Sequence, residues 1–215
     1  MLTFAEEILL LMLDDKTGEI RPLPPNSIRL TLTGALLMEL ALENRIDTDL
    51  DSLNVVDTEP TGDPLLDDAL LFLQRKNTVQ NTTYWLNELT LHQEDLQERL
   101  LRQLVNKGVL KIENRKILWM FNVRRYPMMD NQEVKEVRNR LRGLIMSDEI
   151  PDSREVVLIS LVYACNLLEY MFSPQELARW KYRIESLAKL DLIGQQVGRS
   201  ITEITQALAT SMPVC

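Results

Sequence analysis

The chain has 215 residues, 45% of them hydrophobic and 26% charged, a composition that fits an ordinary globular protein and excludes a disordered one. Its net charge of −8 argues against nonspecific attraction of the whole surface to DNA or anionic lipid. The longest apolar run, Val156 to Leu168, has 13 residues, against the ~20 that a membrane-spanning helix needs.

Taken in chain order, the signals are mostly helical. Thr3 with Glu6 forms a capping box that opens a helix over Phe4 to Leu13. Glu6 and Glu7 interrupt its apolar run and no basic segment precedes it, so no signal peptide is expected and the cytoplasm is the expected compartment. Asp14 to Gly18 reads as a turn. Pro22, Pro24 and Pro25 predict an extended loop over Glu19 to Arg29. Leu32 to Glu43 reads as a helix apolar nearly all round, and therefore buried.

A unit then occurs twice. In the first copy the Leu32–Glu43 helix is followed by Arg45-Ile46-Asp47, a polar stretch, Leu53 to Val56, Pro60, and a helix opened by Asp63 and Pro64. In the second copy a helix from Glu94 to Lys107 ends at Gly108. Val109 to Ile112 then reads as a strand, Glu113 to Lys116 as a turn, and Ile117 to Val123 as a second strand. Pro127 and a helix capped by Asp130 and Glu133 complete the unit. Helix, hairpin, proline, helix is a winged-helix type of repeat. Ser153 to Tyr170 reads as a long central buried helix. Ser173-Pro174-Gln175-Glu176 sets an N-cap, an N1 proline and an N3 glutamate for the next. Ile193, Val197, Ile201, Ile204 and Leu208 recur at helical spacing. The expected fold is therefore mainly α, a single domain over residues 1–215, with a helical bundle around a central buried helix and one or two small β-hairpins.

Charge is unevenly spread. Between Lys111 and Arg142 nine basic residues face four acidic ones, so that window is +5 and the rest of the chain is −13. In the helix after Asp130, Val134, Val137, Leu141, Leu144 and Ile145 share one face. Lys135, Arg138 and Arg142 lie at i, i+3 and i+7 on its flank, where three cations could hold a phosphorylated headgroup. Their heads are expected to reach solvent while their stems pack. Trp119 and Phe121 alternate onto one face of the second hairpin, where core packing is the expected role. Catalysis finds no support. His92 is the only histidine, Cys165 reads as a small core filler, and no His pair, CxxC, GxGxxG or GxxxxGK occurs; neither metal nor cofactor is expected. The acidic pairs Asp14-Asp15 and Asp67-Asp68 read as a turn and a helix start.

Four stretches resemble the Golgi phosphoprotein 3 family: Leu2 to Leu11, Glu39 to Leu42, Pro60 to Leu70 (PTGDPLLDDAL), and Glu98-Arg99-Leu100 through Lys107-Gly108-Val109-Leu110. They fall in the family's order and at similar spacing. The resemblance implies a mostly helical protein that docks on Golgi membranes through phosphatidylinositol 4-phosphate. It also implies binding to cytoplasmic tails of resident enzymes and to coat components. The family uses a Trp and an Arg before the second helix, plus basic residues on the helix after the second hairpin. Here Pro24 and Thr33 stand at the first pair, and Arg21 and Arg29 of the same segment are the candidate substitutes. Lys135 and Arg138 match the second pair with a one-residue shift. The long basic tail of eukaryotic members has no counterpart before Leu2, which points to a prokaryotic relative.

The expected function is peripheral membrane docking on an anionic, phosphoinositide-like headgroup through Lys135, Arg138, Arg142, Arg29 and Arg21. Cytoplasmic tails are expected protein partners, and no nucleic acid is. The alternative is a winged-helix DNA-binding regulator, motivated by the doubled unit. The pI near 4.9 and the acids Glu94, Asp95 and Glu98 before the second hairpin count against it.

Overall fold

Thr3 caps the first helix in the way its spacing predicts: its hydroxyl accepts from the Glu6 N–H while the Glu6 carboxylate accepts from the Thr3 N–H. In the computed structural model, which describes residues 2–49, 52–76, 78–117, 121–129 and 132–211, that helix is α1 (Phe4–Met12). It is followed by α2 (Pro25–Leu42), β1 (Ile46–Thr48), β2 (Leu53–Val55), α3 (Pro64–Lys76), α4 (Thr82–His92), α5 (Leu96–Asn106), β3 (Glu113–Ile117), β4 (Phe121–Arg125), α6 (Gln132–Ile145), α7 (Ser153–Ala164), a 3-10 turn (Leu167–Tyr170), α8 (Pro174–Ala188) and α9 (Leu192–Ser211).

The fold is mainly α, as expected, but its buried centre is α2. Residues 27, 28 and 30–40 of that helix are buried, and α1, α3, α4, α5, α7 and α9 all pack on it. It also begins seven residues before the predicted start at Leu32. Pro25 occupies the first helical position, where a missing N–H costs nothing and φ is already helical. The prolines therefore open α2 rather than hold an extended loop up to Arg29. Gly34 lets α9 approach closely: a Cβ there would lie 2.4 Å from Val197 Cγ2.

The stretch Ser153 to Tyr170 is not one helix. Asn166 sits at φ 58°, which ends the α-helical hydrogen bonding of α7 and starts the 3-10 turn. Residues 157–162 are nonetheless fully inside. Ser173 caps α8 with the predicted box.

Both hairpins are present and antiparallel, with Ile46 opposite Val55 and Glu113 opposite Arg125. The second is displaced from its predicted place. Glu113 to Lys116 pairs as strand, since Ile117 faces Phe121 across the ladder. The polar run reads as a turn by composition, yet its backbone finds a full set of ladder partners, and in sheets that context outweighs propensity. Val109 to Ile112, predicted as the first strand, makes a short bridge past Pro127, with Leu110 opposite Met128. Trp119 and Met120, the side chain of Phe121, the Asp130 cap and Cys215 lie outside the described residues.

Candidate functional site

The site is built around the connection between α1 and α2. Leu13 bridges Ile20, and Asp14 accepts from the N–H groups of Lys16 (3.0 Å) and Thr17 (2.9 Å), which closes the predicted turn. Those backbone donors hold the Asp14 carboxyl below its usual range. Gly18 sits at φ +63°, and a Cβ there would lie 2.4 Å from Pro127 N. The Gly18 carbonyl accepts from the Tyr126 N–H at 3.0 Å. The turn is thus pressed onto the exit of the second hairpin, beside the start of α6.

There the cations of α6 meet acids from elsewhere in the chain. Arg138 donates from both terminal nitrogens to Asp15, at 2.8 Å and 3.0 Å. This fork geometry holds the Asp15 carboxyl below its ordinary range. Arg21 lies 3.5 Å from Asp14 and 3.5 Å from Asp15, with its guanidinium 4.6 Å above the Tyr170 ring. Arg125 pairs with Glu19 at 2.8 Å. One turn beyond Arg138, Arg142 donates to the Met171 carbonyl and, at 2.7 Å, to Glu176, and it covers the Phe172 ring. Its bond, aided by Ser173, drives the Glu176 carboxyl down to about 2.

The predicted basic flank therefore differs from its sequence picture. The +5 window is locally compensated, because the fold brings Asp15, Glu19 and Glu176 against it. Arg138 and Arg142 turn their heads onto carboxylates rather than into open solvent. Lys135 alone of the three is exposed and makes no ion pair among the described residues. Arg21 shares Asp15 with Arg138. Arg29 points elsewhere, donating to the Thr90 carbonyl at 2.9 Å and facing Glu94 at 3.9 Å. Arg21 and Arg29 nevertheless line one cleft of about 430 Å3, whose opposite wall carries Glu94, Asp95 and Glu98. Pro24 is exposed at the start of α2, whereas Thr33 is buried within it. A separate cleft of about 760 Å3, formed by α7, α8 and α9, contains none of these residues.

A second charged cluster is internal. Glu6, Glu7 and Glu39 are buried. Lys107, the C-cap of α5, reaches Glu6 at 2.6 Å, Arg140 of α6 reaches Glu7 at 3.1 Å, and Arg154 of α7 reaches Glu39 at 2.8 Å. Glu39 also accepts from the Phe4 N–H at 2.5 Å, which ties α2 to the first turn of α1. Burial raises the Glu7 carboxyl above its usual value despite Arg140 and Arg154. The signal for this cluster was present in the sequence: acids inside an otherwise apolar helix require buried partners.

His92 stacks on Phe72 at 4.2 Å and stands 3.9 Å from Asp68. Burial pushes the Cys165 thiol up to about 12, so it carries no thiolate at neutral pH. Among the described residues no group of His, Cys, Asp and Glu is placed to hold a metal, and no helix is long and apolar enough to cross a membrane.

A relative from Eremothecium gossypii, vacuolar protein sorting-associated protein 74, is 29% identical over 206 residues, covering 80% of this chain and 62% of that relative. The protein of the same name from Schizosaccharomyces pombe is 28% identical over 203 residues, covering 78% of this chain and 59% of its own length. The chain thus spans about three fifths of the length of these relatives. The family model for Golgi phosphoprotein 3 (GPP34) matches residues 4–204. The chain belongs to the Golgi phosphoprotein 3 (GPP34) family.

Proposed function

We propose that this protein is a non-catalytic, peripheral membrane-docking adaptor that binds an anionic, phosphoinositide-like lipid headgroup. The headgroup site consists of Arg21 and Arg138, with Lys135 and Arg142 on the same flank of α6 and Arg29 at the far end of the adjoining cleft. One observation carries the reading: Arg21 and Arg138, far apart in sequence, converge on the same carboxylate, Asp15. Two guanidinium groups that share one anion are spaced for an oxyanion. Lys135, exposed and without an ion pair among the described residues, adds a further cation, and a cation near an anionic surface is worth roughly 1 kcal/mol. Family membership supports a role in protein sorting, the function for which the two relatives are named. Cytoplasmic tails of membrane proteins are the partners proposed for the adaptor.

Vesicle sedimentation at physiological salt tests the reading. Vesicles carrying a phosphorylated inositol lipid should pull down the protein, and neutral vesicles should not. Lys135→Glu swings roughly 2 kcal/mol of surface attraction, a loss on the order of thirtyfold in partitioning. Arg179→Glu, on α8, should change little. Equal sedimentation with anionic and neutral vesicles would remove the proposal.

A further inference from the structure

The clamp made by Arg21 and Arg138 is already filled by a carboxylate of its own chain. Asp15 accepts at 2.8 Å and 3.0 Å from Arg138 and lies 3.5 Å from Arg21. One carboxylate does not satisfy two guanidinium groups. The Nε–H groups of both Arg21 and Arg138 are buried and have no acceptor among the described residues. The contacts of Arg21 to Asp14 and Asp15, at 3.5 Å, are charge contacts too long for good hydrogen bonds. The Tyr170 ring beneath it supplies orientation but no acceptor. The Asp15 side chain is about a third exposed, at 32%, so it can leave by a rotamer change while the turn stays closed by Asp14.

We infer that Asp15 is a built-in competitor that sets the specificity of the headgroup site, because an incoming anion must displace it from Arg138 and Arg21. The inference rests on the headgroup reading above and adds what the site rejects. A phosphodiester brings a single negative charge, no more than the tethered carboxylate it would replace. A phosphomonoester carries roughly −1.5 to −2 at neutral pH and three acceptor oxygens. It can engage donors that Asp15 leaves idle, once the two side chains adjust. Ordinary monoanionic lipids are therefore excluded, and a phosphomonoester is admitted.

Two readouts on the full chain test this, using Asp15→Asn and the double variant Asp15→Asn/Arg138→Gln. The first needs no membrane. Inorganic phosphate should raise the melting temperature of Asp15→Asn more than that of the unaltered protein, whose own rise reports the general effect of the salt. The double variant should lose the extra rise. Equal rises in the single variant and the unaltered protein would overturn the inference, and so would an extra rise that survives in the double variant. The second readout is sedimentation with phosphatidylcholine vesicles containing either phosphatidylserine or phosphatidic acid. The unaltered protein should follow phosphatidic acid and ignore phosphatidylserine. Asp15→Asn should gain about fivefold on phosphatidylserine, one charge near the surface, and so lose its discrimination. Unchanged discrimination in Asp15→Asn would overturn the inference while leaving membrane docking intact. A protein that ignores both vesicles yet shows the extra phosphate response would lose the docking reading and keep Asp15 as the occupant of an anion site.

Discussion

Arg138 and Arg140 stand two residues apart on α6 and face different carboxylates, one at the surface and one inside. Reversing Arg138 to Glu would set a carboxylate against Asp15, so the stability cost expected of a solvent-facing residue is too small. The half-exposed pair should contribute about 1–2 kcal/mol to the difference, read as a lower urea midpoint, while Arg179→Glu stays within about 0.5 kcal/mol. Arg154 is a more demanding position. It donates to Glu39 at 2.8 Å and to the Leu2 carbonyl at 2.7 Å, and it covers Phe4. Arg154→Ala strands a buried carboxylate and should cost about 3–5 kcal/mol; a near-normal melt would show that Glu39 is satisfied without it. Glu176 gives a pH test with a definite sign. Its folded value of about 2 lies below the ~4.3 of an unfolded glutamate. Its contribution is complete above that unfolded value and disappears as pH falls toward the folded one. Glu176→Gln should therefore flatten the stability curve between about pH 4 and pH 2. Glu7, raised by burial, works in the opposite sense and favours the folded state at low pH.

Elements were legible wherever a local rule decides them. Capping boxes at Thr3 and Ser173, the C-terminal Gly108 at φ +75° and the first hairpin follow from short spacings. The second hairpin was legible as a hairpin but not in its register, because the polar run Glu113 to Lys116 pairs as strand. The other errors fall where a distant partner decides. Pro24 and Pro25 suit a loop or a helix start equally, and the burial of α2 selects the second. Asn166 breaks a stretch whose apolar content alone reads as continuous. The candidate site was half legible for the same reason. The cations of α6 could be read from their spacing, but Asp14 and Asp15 looked like a turn and nothing more. Only the docking of that turn beside Pro127 brings Asp15 to Arg138. Gly18 tests this placement. Gly18→Ala meets both a positive φ and backbone atoms of Tyr126 and Pro127 within 2.8 Å, so it should cost on the order of 2 kcal/mol or more. It should also loosen the Asp15–Arg138 contact, seen as a smaller change on adding Asp15→Asn to it.

At the scale of the whole molecule, the three buried glutamates bind the helices to one another by charge. Glu6 and Glu7 lie on α1 and Glu39 on α2, while their cations come one each from the C-cap of α5, from α6 and from α7. If one of these helices detached by itself, it would leave an ion without its partner in an apolar surround, at several kcal/mol. Partial opening is therefore penalised beyond the cost of the lost apolar contacts, and α1, α2, α5, α6 and α7 should open as one cooperative unit. Native-state amide hydrogen exchange reads this directly. The slowest amides of all five helices should converge on one free energy and move together in Arg154→Ala. The amides of α3, which supplies no member of the cluster, should be free to exchange through a smaller opening.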